Sequence, residues 1–229
     1  AKSRWTESRK RQLIDSRIAT TRAIVDAVSR ERRSGVLLNA SAIGIYGDRG
    51  DEPLTEASAA GGDFLATLCL NWEREASRAE SFRRVVRLRT GLVLDPSDGA
   101  LAPLVTPFRL GIGGPLGTGR QYWSWIHRDD WVRLTTFAID DRRVEGALNL
   151  TAPHPVRNRD FARALGRVLH RPSVLPVPAF ALRLLLGEMA DAMVLGGQRV
   201  APERATSLGF AFGFDTVDAA LAHLFKTGG

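Results

Sequence analysis

An α/β fold with a doubly wound parallel sheet and a smaller C-terminal α+β lobe is the fold class this sequence predicts, on three observations. Helix-like and strand-like stretches alternate between residues 6 and 150, an order that argues for parallel pairing through helical crossovers. The stretch beginning at Val36 is a short apolar run without polar alternation, as expected of a strand covered on both faces. It runs into Ser41-Ala42-Ile43-Gly44-Ile45-Tyr46-Gly47, small and hydroxyl residues that let a ligand approach the backbone. Ligands of open α/β sheets sit beyond the carboxyl ends of the strands, so Ser41 and Tyr46 are the first candidates for chemistry.

Taken in order, residues 6–30 predict a helix with Thr6 as its cap and Leu13, Ile14, Ile18, Thr21, Val25 and Val28 on one face. After the strand comes a loop (47–63) rich in Gly, Asp, Pro and Ser. Phe64, Leu65, Leu68, Trp72, Ala76 and Ala79 then recur at helical spacing, with Glu73 and Glu75 expected on the helix surface. The next strand, Val85–Arg89, is expected beside 36–40 and parallel to it, with Ser41 and Thr90 at one rim. A Gly/Pro-rich loop (111–120) leads to a strand at Tyr122–Ile126, a helix from about Asp129 to Asp140, a strand at Gly146–Leu150 and a helix at Arg159–His170. Pro176-Val177-Pro178 then breaks the chain before an apolar helix (Ala179–Leu195), a strand (Phe210–Phe214) and a last helix (Asp215–Phe225). The expected division is a main domain over 1–150 and a smaller lobe over 151–229.

The chain has 229 residues, 44% of them hydrophobic, enough to bury a substantial core. No apolar stretch reaches the roughly 18–20 residues of a spanning helix. The N-terminus is charged and helix-like, with no apolar stretch behind it, so neither a secretory leader nor a membrane partner is expected. A single cysteine, Cys69, allows no internal disulfide and no cysteine-built zinc site, which fits a reducing compartment and a cytoplasmic location. Of the net charge of +7, most falls in residues 1–33, where ten basic groups face four acids. That is the charge of a solvated helix face with acidic neighbours elsewhere; no aromatic-basic interleaving or nucleic-acid motif accompanies it, and no nucleic acid is expected.

The glycine cluster Gly111-Ile112-Gly113-Gly114-Pro115-Leu116-Gly117-Thr118-Gly119 carries Leu116 where G-x-G-x-x-G wants its last glycine, so it predicts a loop rather than a phosphate cradle. His127 with Asp129 and Asp130 is poor metal spacing, and capping of the following helix by either acid explains them without a metal. Arg120, Trp123 and Trp125 flank the glycine loop, where they could pair with and stack on an anionic ligand; packing explains the tryptophans equally well.

Ser41–Asp48, Leu88-Arg89-Thr90-Gly91, Trp125-Ile126-His127-Arg128-Asp129-Asp130 and Leu148-Asn149-Leu150 come in the order found in extended short-chain dehydrogenases/reductases. The chain resembles the atypical, epimerase-family (NAD-dependent epimerase/dehydratase-like) group of that superfamily. Tyr46–Glu52, Phe108–Gly111, Gly113–Gly117, and a tail of Pro176–Arg183 with Leu186–Ala190 resemble that group more narrowly, the tail being its small C-terminal domain. The resemblance implies a Rossmann-type NAD(P)-binding domain, incomplete here because the first strand and glycine-rich turn would precede residue 1.

It further implies NADP or NAD as cofactor and a small-molecule substrate with a carbonyl or hydroxyl group. The activity implied is that of an oxidoreductase or a nucleotide-sugar epimerase-like enzyme, and a homodimer is compatible with it. The alternative is a catalytically impaired NAD(P)-binding sensor or scaffold. In such families a hydroxyl polarises the carbonyl, a tyrosine moves the proton and a lysine lowers its pKa. Ser41 falls at the hydroxyl position, but Phe64 and Leu68 fill the Tyr-x-x-x-Lys register. Tyr46 is the substitute acid/base, with Gly50 rather than lysine four residues on; Arg17 is the expected cation beside it. Cofactor contacts are expected from Ala40, Ser41, Arg89, Thr90 and Gly91, and substrate contacts from Arg120, Trp123 and Trp125. The plainer readings are that Ser41 and Tyr46 are a polar strand end satisfied locally and that Arg17 is a surface arginine.

Overall fold

The computed structural model describes residues 5–31 and 35–226. Its centre is a three-stranded parallel sheet of order β1-β3-β7, made of β1 (Val36–Ala42), β3 (Arg84–Thr90) and β7 (Gly146–Leu150). Ser41 lies opposite Arg89 and Ala42 opposite Thr90, so the carboxyl ends of β1 and β3 share one rim, as the sequence predicts. Alternation along β3 sorts its side chains to two covered faces. Val85 meets Val25 of α1 (Glu7–Ser29) and Ala76 of α2 (Phe64–Ser77), whereas Val86 and Leu88 meet Leu134 and Ala138 of α4 (Arg128–Asp140) and Ala205 of α7 (Glu203–Ser207). Helices on both faces of a parallel sheet make the fold doubly wound.

Thr6 caps α1 by accepting the Arg9 N–H at 3.2 Å. Of the apolar face predicted for α1 only Thr21 and Val25 are buried. Thr21 donates to Asn39 Oδ1 at 3.3 Å and accepts from Trp72 Nε1 at 2.8 Å, which ties α1 to β1 and α2. Strand β1 is half-buried with Ala40 exposed, so the burial on both faces expected of it is not found, because it is the marginal strand of the sheet; β3 and β7 are the more deeply buried strands. A 3-10 turn, Ile43–Tyr46, follows it.

A second set of short strands builds the walls above the rim. They are β2 (Pro53–Leu54) parallel to β9 (Arg199–Val200), β4 (Leu92–Leu94) parallel to β6 (Trp125–His127), and β5 (Tyr122–Trp123) antiparallel to β8 (Val156–Arg157). Gly91 sits at the bend between β3 and β4, where a Cβ would collide with the Ser124 carbonyl. The largest hydrophobic cluster joins α3 (Ala102–Arg109), α5 (Asn158–Leu169) and α8 (Val217–Lys226) around Trp125 and Phe161, and so crosses residue 150.

Three local predictions are corrected. The strand expected at Tyr122–Ile126 is two strands, because the chain changes partner at Ser124: Tyr122–Trp123 pair with β8 and Trp125–His127 with β4. Phe210–Phe214 is not a strand: the Asp130 carboxylate takes the N–H groups of Gly213 and Phe214, each at 2.9 Å, that a ladder would have used. The helix expected over 179–195 ends as α6 (Ala179–Leu186) at Gly187, whose φ of 63° suits a residue without Cβ, and a separate turn occupies Asp191–Leu195.

Candidate functional site

The rim shared by β1, β3 and β7 is floored by one connected polar network. Arg89 makes a two-point ion pair with Glu73 of α2, Nε to Oε1 and Nη2 to Oε2 both at 2.9 Å. The Ser41 hydroxyl donates to the same Glu73 at 2.7 Å. Arg89 Nη1 donates to the Tyr46 hydroxyl at 2.9 Å, and that hydroxyl donates to Asn149 Oδ1 at 2.7 Å. Asn149 passes its backbone N–H to Glu56 and its side-chain NH2 to Ala201 O, both at 3.0 Å. Five side chains from α2 and the ends of three strands are thereby fixed to each other, and all are buried, Tyr46 completely.

The arrangement decides what these groups can do. Burial raises the Tyr46 pKa more than the neighbouring Arg89 lowers it, so the phenol stays protonated well above neutrality. Burial likewise raises the Glu56 pKa against the backbone N–H groups that favour its carboxylate, and pushes the Cys69 thiol up to about 11, leaving it an unreactive packing residue.

Several expected roles change accordingly. Ser41 and Tyr46 belong to the same network, and both hydroxyls are hydrogen-bonded to protein partners, Glu73 and Asn149. Arg17 bonds Leu13 O and lies over the Trp72 ring at 5.3 Å; the cation beside Tyr46 is Arg89. Arg89 therefore belongs to the floor, and Gly91 is packed under Ser124 and Thr151. Of the expected cofactor contacts, Ala40 is exposed and Thr90 half-buried, its hydroxyl accepting from Trp131 Nε1 at 3.2 Å. Trp125 is fully buried and donates to His154 O, and Trp123, half-buried, packs on Phe161.

Glu73 was expected on the helix surface and is instead the hub of the network. The sequence signal that could have found it is Arg89, which with Arg87 puts charge on the face of β3 that a helix covers and so calls for a counter-charge from that helix. Glu75 does lie near the surface, paired with Arg22 and Arg78.

Arg120 is exposed and lines a cavity of about 230 Å³ with Asp48, Gly50, Asp51, Gln121, Arg157, Leu195 and Gly197. A larger, open depression of about 420 Å³ lies on the outer side of α4, but its single charge, Arg133, is engaged by Asp130 and Ala211 O. The small cavity has the polar lining of a recognition site.

His127, Asp129 and His223 approach each other closely enough for a metal to be considered. The expected cap at Asp129 or Asp130 is in fact His127, whose Nδ1 accepts the Asp129 N–H at 3.0 Å. That places the ring proton on Nε2, which faces His223 Nδ1 at 3.1 Å. A nitrogen carrying a proton has no lone pair for a metal, so the pair is a hydrogen bond.

Comparison with known proteins agrees with this architecture. Residues 1–150 match the NAD dependent epimerase/dehydratase family, and residues 177–224 match a domain of unknown function, DUF1731. The chain belongs to the NAD dependent epimerase/dehydratase family. It is 44% identical over 227 residues to the chloroplastic epimerase family protein SDR39U1 homolog of Arabidopsis thaliana, covering 98% of this chain and 65% of that protein. An epimerase family protein of Mycobacterium bovis is 42% identical over 224 residues, covering 97% and 74%. The chain thus spans about two thirds to three quarters of these relatives. Human epimerase family protein SDR39U1, crystallised with NADPH, superposes with a TM-score of 0.94 at 30% identity over 98% of this chain and 77% of that one.

Proposed function

We propose that this protein is an NAD(P)-dependent oxidoreductase or nucleotide-sugar epimerase-like enzyme acting on a carbonyl or hydroxyl group of a small molecule. The carrying observation is the rim: β1 and β3 end in register, with exposed Ala40 and half-buried Thr90 above a rigid polar floor. Small side chains at strand ends fit the nicotinamide end of NADP or NAD by leaving the backbone open to close approach. The likeness to a family protein crystallised with NADPH supports the same assignment. The cofactor, when bound, supplies a hydride donor or acceptor.

The residues of this chain do the positioning. Glu73 and Arg89 hold the ends of β1 and β3 at a fixed height, Ser41 and Tyr46 lock the turn after β1, and Asn149 joins β7 to that lock. The proton of the reaction then comes from a substrate hydroxyl or water, since Tyr46 is sealed beneath the rim. Arg120, at the cavity above, is the substrate contact.

One observation favours the second reading, a sensor or scaffold: both candidate hydroxyls are spent on protein partners. A fluorescence titration of the full-length protein with NADPH and NADH, joined to turnover assays across carbonyl compounds and nucleotide sugars, separates the two. The expected result is cofactor binding with turnover that Tyr46→Phe lowers by only a few-fold. Binding without turnover of any substrate favours the sensor, no binding refutes both, and abolition of turnover in a folded Tyr46→Phe restores the tyrosine as proton donor.

A further inference from the structure

The cavity is lined by Arg120 and Gln121 and by three further elements. The loop before β2 brings Asp48, Gly50 and Asp51, β8 brings Arg157, and the turn before β9 brings Leu195 and Gly197. Tyr122 and Arg157 stand opposite each other in the β5–β8 pair, and the Arg157 guanidinium lies over the Tyr122 ring at 4.6 Å. Arg199 lies over the same ring at 5.4 Å. The Arg157 guanidinium is thus held by a ring face and by a hydrogen bond from Nη1 to the Arg120 carbonyl. Its remaining edge carries Nη2, which meets Asp51 Oδ2 at 2.9 Å.

The two partners of that ion pair are unequally committed. The Arg157 side chain is 22% exposed and already ordered, whereas that of Asp51 is 69% exposed on a loop. Bonding to Arg157 is the leading cause that holds the Asp51 pKa below the usual carboxylate range, and Arg120 and Arg199 add to it through space. Two arginines and two aspartates line the cavity, and Arg199, outside the lining, adds positive potential through space. An exposed single-point ion pair contributes little, while a guanidinium fixed on an aromatic face is pre-organised for an oxyanion.

We propose that Arg157 and Arg120, with Arg199 adding positive potential from outside the lining, form the binding site for a small oxyanion, a phosphate monoester or carboxylate head group of the substrate, and that Asp51 occupies this site as an internal stand-in until the ligand displaces it. The proposal deepens the function given above and rests on it only in calling the ligand a substrate. A volume of about 230 Å³ falls below the roughly 300–1,000 Å³ of pockets that enclose drug-sized ligands. The cavity therefore takes one anionic head, with the rest of the ligand outside it.

Isothermal titration of the full-length protein with inorganic phosphate and, separately, with malonate reads binding without any turnover, so it succeeds or fails independently of the enzymatic reading. Asp51→Asn removes the competitor and keeps the loop's shape, so phosphate should bind about threefold more tightly, the scale of one exposed ion pair. Arg157→Lys keeps the charge but loses the fork, so affinity should fall about tenfold. Both effects should persist with NADPH at saturation, and the preferred anion of the two identifies the head group as tetrahedral or planar. The inference is overturned if Asp51→Asn binds no better than wild type, if Arg157→Lys binds equally well, or if NADPH abolishes anion binding, which would place the anion in the cofactor's own site.

Discussion

The floor of the rim and the wall of the cavity use the same three groups, an arginine, a carboxylate and a tyrosine, to opposite ends. In the floor Arg89 and Glu73 share two bonds with side chains 11% and 6% exposed, and Tyr46 is sealed among them. In the wall Arg157 and Asp51 share one bond, the carboxylate is mostly in water, and Tyr122 offers a ring face instead of its hydroxyl. Residue type therefore does not distinguish a structural ion pair from one that can exchange. Burial of the carboxylate does, because an unpaired charge is costly only where water cannot replace the lost partner.

The largest effect expected from this contrast is in the floor. Arg89→Leu leaves buried Glu73 with only the more distant Arg87, whose Nε lies 3.9 Å away, and takes a donor from Tyr46, so stability should fall by about 3 kcal/mol, the lower end of the cost of breaking a buried pair from one side. Urea unfolding of the full-length variant measures it. A loss under about 1 kcal/mol, the range of exposed pairs, would mean that water reaches Glu73.

A smaller, pH-dependent effect comes from another buried polar pair. His127 is fully buried, stacked on Phe214 at 3.8 Å and hydrogen-bonded to His223, with Arg128, Asp129 and Asp130 as the charged groups around it. Burial lowers its pKa from the ordinary 6.5, against the pull of Asp129. The unfolded chain then binds the proton first as pH falls, so the stabilisation is complete above pH 6.5 and is lost on acidification through the depressed folded-state pKa. His127→Asn retains a capping oxygen for Asp129 N–H but cannot titrate. Melting temperatures between pH 8 and 5 should therefore fall less steeply in the variant, and comparison with wild type cancels Glu56, whose raised pKa acts in the opposite direction. Equal slopes would show that His127 titrates as it does in the unfolded chain.

The parallel order and the shared rim were legible because apolar runs and the helical recurrence of Phe64, Leu68 and Trp72 report burial directly. So was the proximity of Ser41 and Tyr46, which follows from their place at one strand end. Their use was not legible: whether a hydroxyl faces ligand or floor depends on the acid beneath it, and Glu73 lies 32 residues from Ser41. The sequence points to Arg17 because a helix can deliver a side chain to a rim, whereas the register of β3 puts the Arg89 guanidinium beside Tyr46. Phe210–Phe214 has strand-like apolarity, and only the distant Asp130 carboxylate, capturing two of its N–H groups, turns it into a loop.

The smallest effect is the one that most sharpens the contrast. If Asp51 is a replaceable partner, Asp51→Asn should change unfolding stability by no more than about 0.5 kcal/mol, as for exposed substitutions away from special features. The same substitution should tighten phosphate binding, because the guanidinium edge it frees stays ordered by Tyr122 and the Arg120 carbonyl. A structural ion pair would behave in the reverse way, losing stability without gaining a ligand. The two measurements on one variant, urea unfolding and calorimetric titration, therefore separate holding from exchanging. A stability loss above about 1 kcal/mol with no gain in phosphate affinity would place the cavity wall in the same class as the floor.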